Sequence, residues 1–418
     1  MKFSLNLPKS DLAKNTSLYV VVSIISAGFS FLTLTVFSNK VTDVDVGKVE
    51  TFLTFGTLLQ TLMLWGNEAL LINYYSKYGN KKEFETAFLG IISQTLILSV
   101  LLYFVPVLFE EYDRWIIYSS LLFAVLNSLL SLITTCLQLE AKVKRYSIIT
   151  LCLSGWTFIV CIILLKFDAS CVARILSSIL VIFFLCIFCF PRFYRQKISN
   201  VKFCIKDIIC FYKKGGVLVA SQISSWGIER IDRFQIISML GIANLGVYSI
   251  AAQFSLGAMV LEAAVSRAWQ PYVIKNADRD RRKMIGQIIR ISCCLFVVIT
   301  ILSVLILFYI KWFLPKEYET ASYLSAILCF GYCFDGMWKL YNNIIVYENK
   351  FKLSASVVVL CAILKLALNI LLIPFLGLLG AAITSLLVFA AGFFMNMFYV
   401  HFKMKWFSQT ESIPNKLS

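Results

Sequence analysis

Histidine is almost absent: the 418 residues contain one, His401. That removes Ser-His and Cys-His catalysis and any histidine-rich metal site from consideration. Charge is scarce too, at 15% of residues against roughly 25% in a soluble globular domain. With 59% hydrophobic residues and a mean hydropathy of +0.81, these shortages exclude a soluble protein. Twelve membrane spans of about 20 residues would use about 240 positions, leaving no room for a large folded domain outside the bilayer. The thirteen cysteines sit mostly in apolar runs (Cys152, Cys161, Cys186, Cys189, Cys293, Cys294, Cys329, Cys333 and Cys361) and read as small buried apolar residues. Cys186 and Cys189 have metal-ligand spacing but no partner pair nearby, so no metal site and no cofactor are expected.

Apolar runs between charged or turn-forming clusters predict twelve helices near 16–38, 51–73, 86–109, 115–138, 146–165, 171–190, 211–234, 244–266, 286–310, 321–345, 354–376 and 378–401. The first is too long for a signal-peptide core and no small-residue cleavage site follows it, so it is expected to be retained. With the N-terminus inside, 27 of the 39 Lys and Arg residues fall on cytoplasmic segments, 9 on outer ones, and Arg290, Lys339 and Lys365 within spans. This asymmetry places both termini in the cytoplasm. It also accounts for most of the net charge of +16, so basicity reports orientation and nucleic acid is not expected as a partner. The outer connections are short, which disfavours a membrane glycosyltransferase or polymerase.

The chain repeats itself. Asp45-Val-Gly47-Lys-Val49 aligns with Asn244-Leu-Gly246-Val-Tyr248 at an offset of 199, which also sets Glu68 on Arg267. Phe109-Glu-Glu111-Tyr112 matches Pro315-Lys-Glu317-Tyr318, and Glu140-Ala-Lys142-Val-Lys144 matches Glu348-Asn-Lys350-Phe-Lys352 at 208. The expected organisation is an N-terminal six-helix bundle over 1–190, a basic cytoplasmic linker over 191–210, and a C-terminal six-helix bundle with its tail over 211–418. Six spans per half give both halves one orientation, a parallel repeat around a central cleft, which is the arrangement of an alternating-access transporter.

Polar stripes at helical spacing within spans must face another helix or water. The first span carries Ser23, Ser26, Ser30 and Thr33; the fourth carries Asn127, Ser131, Thr134 and Gln138, and maps onto Asp335, Lys339 and Asn342 of the tenth. Either a hydrated cleft or interhelical hydrogen bonding accounts for them. Charged residues in or at the ends of spans number seven basic (Arg174, Arg230, Arg233, Arg267, Arg290, Lys339, Lys365) and five acidic (Glu68, Glu229, Asp232, Glu262, Asp335). Asp335 with Lys339, and Glu229 with Arg233, stand at i,i+4 and could neutralise each other. Lys365 has no acid within two turns, so it either snorkels or faces an anionic ligand, with Asn369 one turn away. The arginines of Glu229-Arg230-Ile-Asp232-Arg233 could clamp a phosphate or form an ordinary interfacial charge cluster.

Three segments carry a family resemblance: Ser224-Ser-Trp-Gly-Ile-Glu-Arg-Ile-Asp232-Arg233-Phe, Gly241-Ile-Ala-Asn-Leu-Gly246-Val-Tyr248-Ser249-Ile-Ala251, and Leu368-Asn369-Ile-Leu-Leu-Ile-Pro374-Phe-Leu-Gly377-Leu-Leu-Gly380-Ala381-Ala382-Ile-Thr384. With the twelve-span layout, the sequence resembles the Wzx-type O-antigen and capsule repeat-unit flippases of the multidrug/oligosaccharidyl-lipid/polysaccharide exporter superfamily. In the third segment Pro374 is expected to end a helix, Gly377 and Gly380 to make a tight turn, and Ala381 and Ala382 to allow close packing.

The resemblance implies a flippase, not an enzyme, moving an undecaprenyl-pyrophosphate-linked oligosaccharide across the bacterial inner membrane. The pyrophosphate and sugars would occupy a net-basic cleft and the polyprenyl tail would stay in membrane lipid. Arg174, Arg230, Arg233, Arg267, Arg290, Lys339, Lys365 and Asn369 are the candidate substrate residues. Glu68, Asp232 and Asp335 are the candidate carriers of a coupling ion, H+ or Na+. The polysaccharide polymerase and chain-length machinery are further implied partners. The rival readings are a drug exporter of the same superfamily, whose cationic substrates would favour an acidic cleft, a membrane polymerase or glycosyltransferase, and a non-transporting scaffold in which the charges merely pair.

Overall fold

The computed structural model describes residues 9–66, 82–108, 113–140, 142–197, 205–276 and 281–403. Among them are twelve α-helices: α1 (Lys9–Ser38), α2 (Asp43–Leu64), α3 (Lys82–Leu108), α4 (Arg114–Leu139), α5 (Val143–Leu164), α6 (Cys171–Lys197), α7 (Ile205–Leu240), α8 (Ile242–Asn276), α9 (Arg281–Phe313), α10 (Glu319–Tyr347), α11 (Phe351–Leu376) and α12 (Leu378–Phe398). Eight of them are long and apolar enough to cross a membrane. The others, α2, α3, α7 and α10, answer to the expected spans near 51–73, 86–109, 211–234 and 321–345. Three of them carry charge that dilutes the apolar run: Asp43, Asp45, Lys48 and Glu50 on α2; Glu229, Arg230, Asp232 and Arg233 on α7; Asp335 and Lys339 on α10. The protein is an all-helical, multi-span membrane protein.

Helix limits depart from the apolar runs where polar residues cap or extend a helix. The α2 helix begins eight residues before the expected span, because the Thr42 hydroxyl accepts from the Asp45 N–H and Asp43 and Asp45 occupy the first turn. It stops at Trp65 and Gly66, both at positive φ; the remainder of the expected 51–73 span, with Glu68, lies outside the described residues. The α7 helix has 36 residues, about 54 Å at 1.5 Å per residue, well beyond a hydrocarbon core of about 30 Å. Asp232 and Arg233 therefore lie two turns inside a helix rather than at its end.

The chain forms two compact units. The first comprises Met1–Trp226 with Gly241–Gly246, and the second Gly227–Leu240 with Val247–Ser418. In the first, α2 packs on α4: the Phe52 and Phe123 rings meet edge to face at 5.1 Å, Ser120 Oγ donates to the Phe52 carbonyl at 3.0 Å, and Asn127 Nδ2 donates to Gln60 Oε1 at 2.8 Å. Part of the α4 polar stripe thus serves helix–helix packing. On α1, Ser30 and Thr33 donate back to the carbonyls of Ser26 and Phe29, which satisfies hydroxyls in apolar surroundings without any ligand. Gly47, near the start of α2, and Gly246, in the first turns of α8, stand where a Cβ would come to 2.1 Å from the Ile242 carbonyl oxygen and 1.9 Å from the Asp43 carbonyl oxygen. Only hydrogen fits at either place.

In the second unit one core cluster joins α7, α10, α11 and α12, with Ile228, Trp338, Val357, Cys361, Val388 and Phe389 buried together, and another joins α8, α9 and α10 around Trp269, Ile288 and Tyr341. A Cβ on Gly392 would reach 2.6 Å from the Trp338 indole, so the glycine makes the notch that seats the ring. The third motif differs from expectation in one respect. Pro374 lies within α11, and the helix ends three residues later at Gly377, whose φ of 57° and ψ of −136° suit glycine alone. Gly380 then passes close to the Leu372 carbonyl, and Ala381 and Ala382 are fully buried, as expected. Outward-facing positions are apolar, Phe167, Phe188 and Phe375 among the most exposed, as a lipid-facing surface requires. Most of the described cysteines are buried or half-buried as expected, but Cys293 and Cys294 are exposed on α9.

Candidate functional site: a buried charge network

Asp232 on α7 holds the centre of a network within the second unit. Its Oδ1 accepts from Arg233 Nη1 at 2.7 Å; its Oδ2 accepts from Tyr248 Oη at 2.7 Å and from Lys365 Nζ at 3.0 Å. Lys365 comes from α11 and also donates to the Ile228 carbonyl; Arg233 also donates to the Glu229 carbonyl, its guanidinium 5.8 Å from the centre of the Tyr248 ring. Asp232 and Lys365 are each 1% exposed and Arg233 8%. Two cations thus meet one carboxylate in a place where an unpaired charge would be prohibitive. One turn further along α11, Asn369 is fully buried, donating to Gln235 Oε1 at 2.7 Å, while Gln235 donates to the Leu366 carbonyl at 3.3 Å. The Asn369 Oδ1 has no hydrogen-bond partner.

The elements explain the placement. Arg233 precedes the last two turns of α7, Tyr248 stands in the second turn of α8, and Lys365 and Asn369 are one turn apart on α11, so a single stripe of α11 faces α7. The acid that Lys365 lacks on its own helix is supplied by another: Asp232 of α7 pairs with it, an arrangement beyond the two that the sequence offered.

A second cluster joins α8 to α10. Lys339 Nζ lies 2.7 Å from Asp335 Oδ2, the pairing that i,i+4 spacing foretold, and 2.6 Å from Oε1 of Glu262, which is fully buried. The other expected site residues fall elsewhere. Arg174, in the first unit, donates to Ser178 Oγ one turn on. Arg230 is half-buried on α7. Arg267 is exposed and donates from Nε to the Ala263 carbonyl. Arg290, also exposed, borders an apolar groove with Trp269, Tyr272 and Gln287. Glu68 lies outside the described residues. Sequence reasoning passed over Tyr248 and Gln235, although Tyr248 stood within a recognised motif, and counted Glu262 among the span charges without selecting it. No group of three or more His, Cys, Asp or Glu residues able to hold a metal occurs among the described residues.

A "Lsg locus putative protein 1" of Haemophilus influenzae is 23% identical over 394 residues, covering 88% of this chain and 94% of the relative. A "Putative O-antigen transporter" of Shigella flexneri is 29% identical over 192 residues, 45% of this chain and 46% of that protein. Among solved structures, the lipid II flippase MurJ in its inward closed conformation matches with a TM-score of 0.74 at 15% identity, over 93% of this chain and 89% of that one. An inward-facing multidrug resistance MATE transporter of the MOP superfamily matches with 0.70 at 13%, over 92% and 96%. The fold is therefore that of these exporters, and the resemblance drawn from the three segments holds. The MatE family matches residues 218–371. The polysaccharide biosynthesis protein family matches residues 12–277, well over half of the sequence, and the chain belongs to that family.

Proposed function

We propose that the protein is a flippase that moves an undecaprenyl-pyrophosphate-linked oligosaccharide repeat unit from the cytoplasmic to the outer leaflet of a bacterial inner membrane, by ion-coupled alternating access, for O-antigen or capsule synthesis. The observation that carries the reading is the family match, together with an O-antigen transporter among the relatives and a lipid II flippase among the folds. A pyrophosphate cannot enter a membrane without compensating cations. Arg267 and Arg290, whose side chains are exposed, are the residues we assign to it first, with Arg174 and Arg230 as further contacts. Arg233, Lys365 and Asn369 are engaged within the network around Asp232 and Gln235, and we assign them to holding α7 against α11 as the protein cycles. Both termini are assigned to the cytoplasm from the Lys and Arg asymmetry. The polysaccharide polymerase and chain-length machinery would receive the product on the outer side.

The MatE match and the MATE folds favour a second reading, export of organic cations. The excess of basic over acidic residues within the spans argues against it. The test is to delete the gene in its own host and follow labelled lipid-linked repeat units. Their accumulation in the inner leaflet, reversed by the wild-type gene and not by Arg267→Ala with Arg290→Ala, supports the flippase. Normal transfer in the deletion strain, with increased sensitivity to cationic drugs, supports the exporter.

A further inference from the structure

Glu262 lies in mid-helix on α8 with its side chain fully buried. Its Oε1 accepts from Lys339 Nζ, and its Oε2 is buried with no hydrogen-bond partner. The Glu262 and Asp335 carboxyls converge on the one ammonium, with Glu262 Oε1 2.6 Å and Asp335 Oδ2 2.7 Å from Lys339 Nζ. Gly336 permits this approach, since a Cβ there would come to 2.8 Å from the Glu262 Cβ. The charged groups that α10 brings to this site are Asp335 and Lys339. The α9 helix contributes the apolar Leu295 beside Gly336, and the next charge along α8 itself, Arg267, is exposed.

Two ionised carboxylates and one ammonium would leave this buried site net negative. Two carboxylates also cannot hydrogen-bond each other, because each offers only acceptors. A single proton answers both difficulties: it balances the charge and turns one carboxyl into a donor, as in other carboxyl pairs that share a site. Asp232, an alternative carrier, is differently placed. Both of its oxygens are taken by Arg233, Tyr248 and Lys365, and neutralising it would strand two buried cations.

We propose that Glu262 and Asp335 share one exchangeable proton, carried on Glu262 Oε2 with Lys339 as the fixed counter-charge, and that this is the proton site of the transport cycle. The Lys339 side chain is 41% exposed, which gives the buried pair a polar edge through which the proton exchanges. The existence of the site stands on geometry alone; its use in coupling rests on the flippase reading.

The test is infrared pH-difference spectroscopy on the full chain in lipid nanodiscs, where the C=O stretch of a protonated carboxyl stands clear of the amide bands. The expected result is a carboxylic-acid band present at neutral pH, lost reversibly on alkalinisation, and missing in Glu262→Gln. In Asp335→Asn the band is lost at neutral pH, because Glu262 then ionises against Lys339 alone. A band that survives in Glu262→Gln, or persists at neutral pH in Asp335→Asn, overturns the proposal, as does a band abolished by sodium chloride at constant pH, which would mark a metal-cation site. If the substrate is not a lipid-linked sugar the band remains. If the proton site is wrong, lipid transfer can still occur while the band is absent.

Discussion

Lys365 and Asp232 are joined by a buried ion pair, 3.0 Å from Nζ to Oδ2, across 133 residues of sequence. The pair is asymmetric in its consequences. Asp232 has two other partners, Arg233 and Tyr248, whereas Lys365 has only a backbone carbonyl besides. Asp232→Asn leaves two cations facing an amide in the interior and is expected to cost about 3–5 kcal/mol. Lys365→Met leaves Asp232 paired with Arg233 and is expected to cost on the order of 1–2 kcal/mol. Thermal unfolding in detergent, with Asp232→Asn melting well below Lys365→Met, checks the order.

Gly47 and Gly246, aligned by the internal repeat, each press against a backbone carbonyl of the other's segment, at Ile242 and Asp43. A carbonyl cannot swing aside as a flexible side chain can. Gly47→Ala and Gly246→Ala are each expected to lose about 1–3 kcal/mol or more. Gly286→Ala, where a Cβ meets nothing within 4 Å, is expected to gain about 0.5–1 kcal/mol from helix propensity. Melting temperatures of the three single variants are the measurement.

At the turn between α11 and α12, Gly377→Ala forces a side chain into φ 57°, ψ −136°. The expected loss is about 1–3 kcal/mol. Protease sensitivity at the turn should rise with it, and the same change at Gly227, which meets no neighbour within 4 Å, should leave cleavage unaltered.

Outside the spans, Lys48 Nζ lies 3.0 Å from Asp113 Oδ2. This hydrogen bond raises the Lys48 pKa above its ordinary value. Its contribution to stability is accordingly full below the ordinary lysine range and is lost as pH rises through the raised value. Both side chains are about a third or more exposed, so the contribution is about 0–1 kcal/mol. Asp113→Asn is expected to lower the melting temperature slightly at neutral pH, and the difference from wild type should vanish in strong alkali.

The helices were legible because apolar runs of span length announce themselves, and the tight turn at Gly377–Gly380 because its residue types allow little else. Their limits were not legible at α2 and α7, where a Thr42 cap and a charged, lengthened end carry the helix past its apolar stretch. The pairing of Asp335 with Lys339 could be read at i,i+4 because it is local. Glu262, 77 residues from Lys339, and Asp232, 133 residues from Lys365, could not, since only tertiary packing brings α8 to α10 and α7 to α11. Pro374 misled for a related reason: a proline in the last turn of a helix loses only one hydrogen bond, and the chain turns where glycine permits it.

The most direct test of the account is transfer between leaflets in proteoliposomes holding the purified protein and a fluorescent undecaprenyl-pyrophosphate oligosaccharide, with a pH gradient imposed. The account predicts transfer that requires the protein, responds to the gradient and falls at least tenfold when Arg267 and Arg290 are both replaced by alanine. Folded protein that moves none of a panel of such lipids under any gradient, while exporting an organic cation, would contradict it.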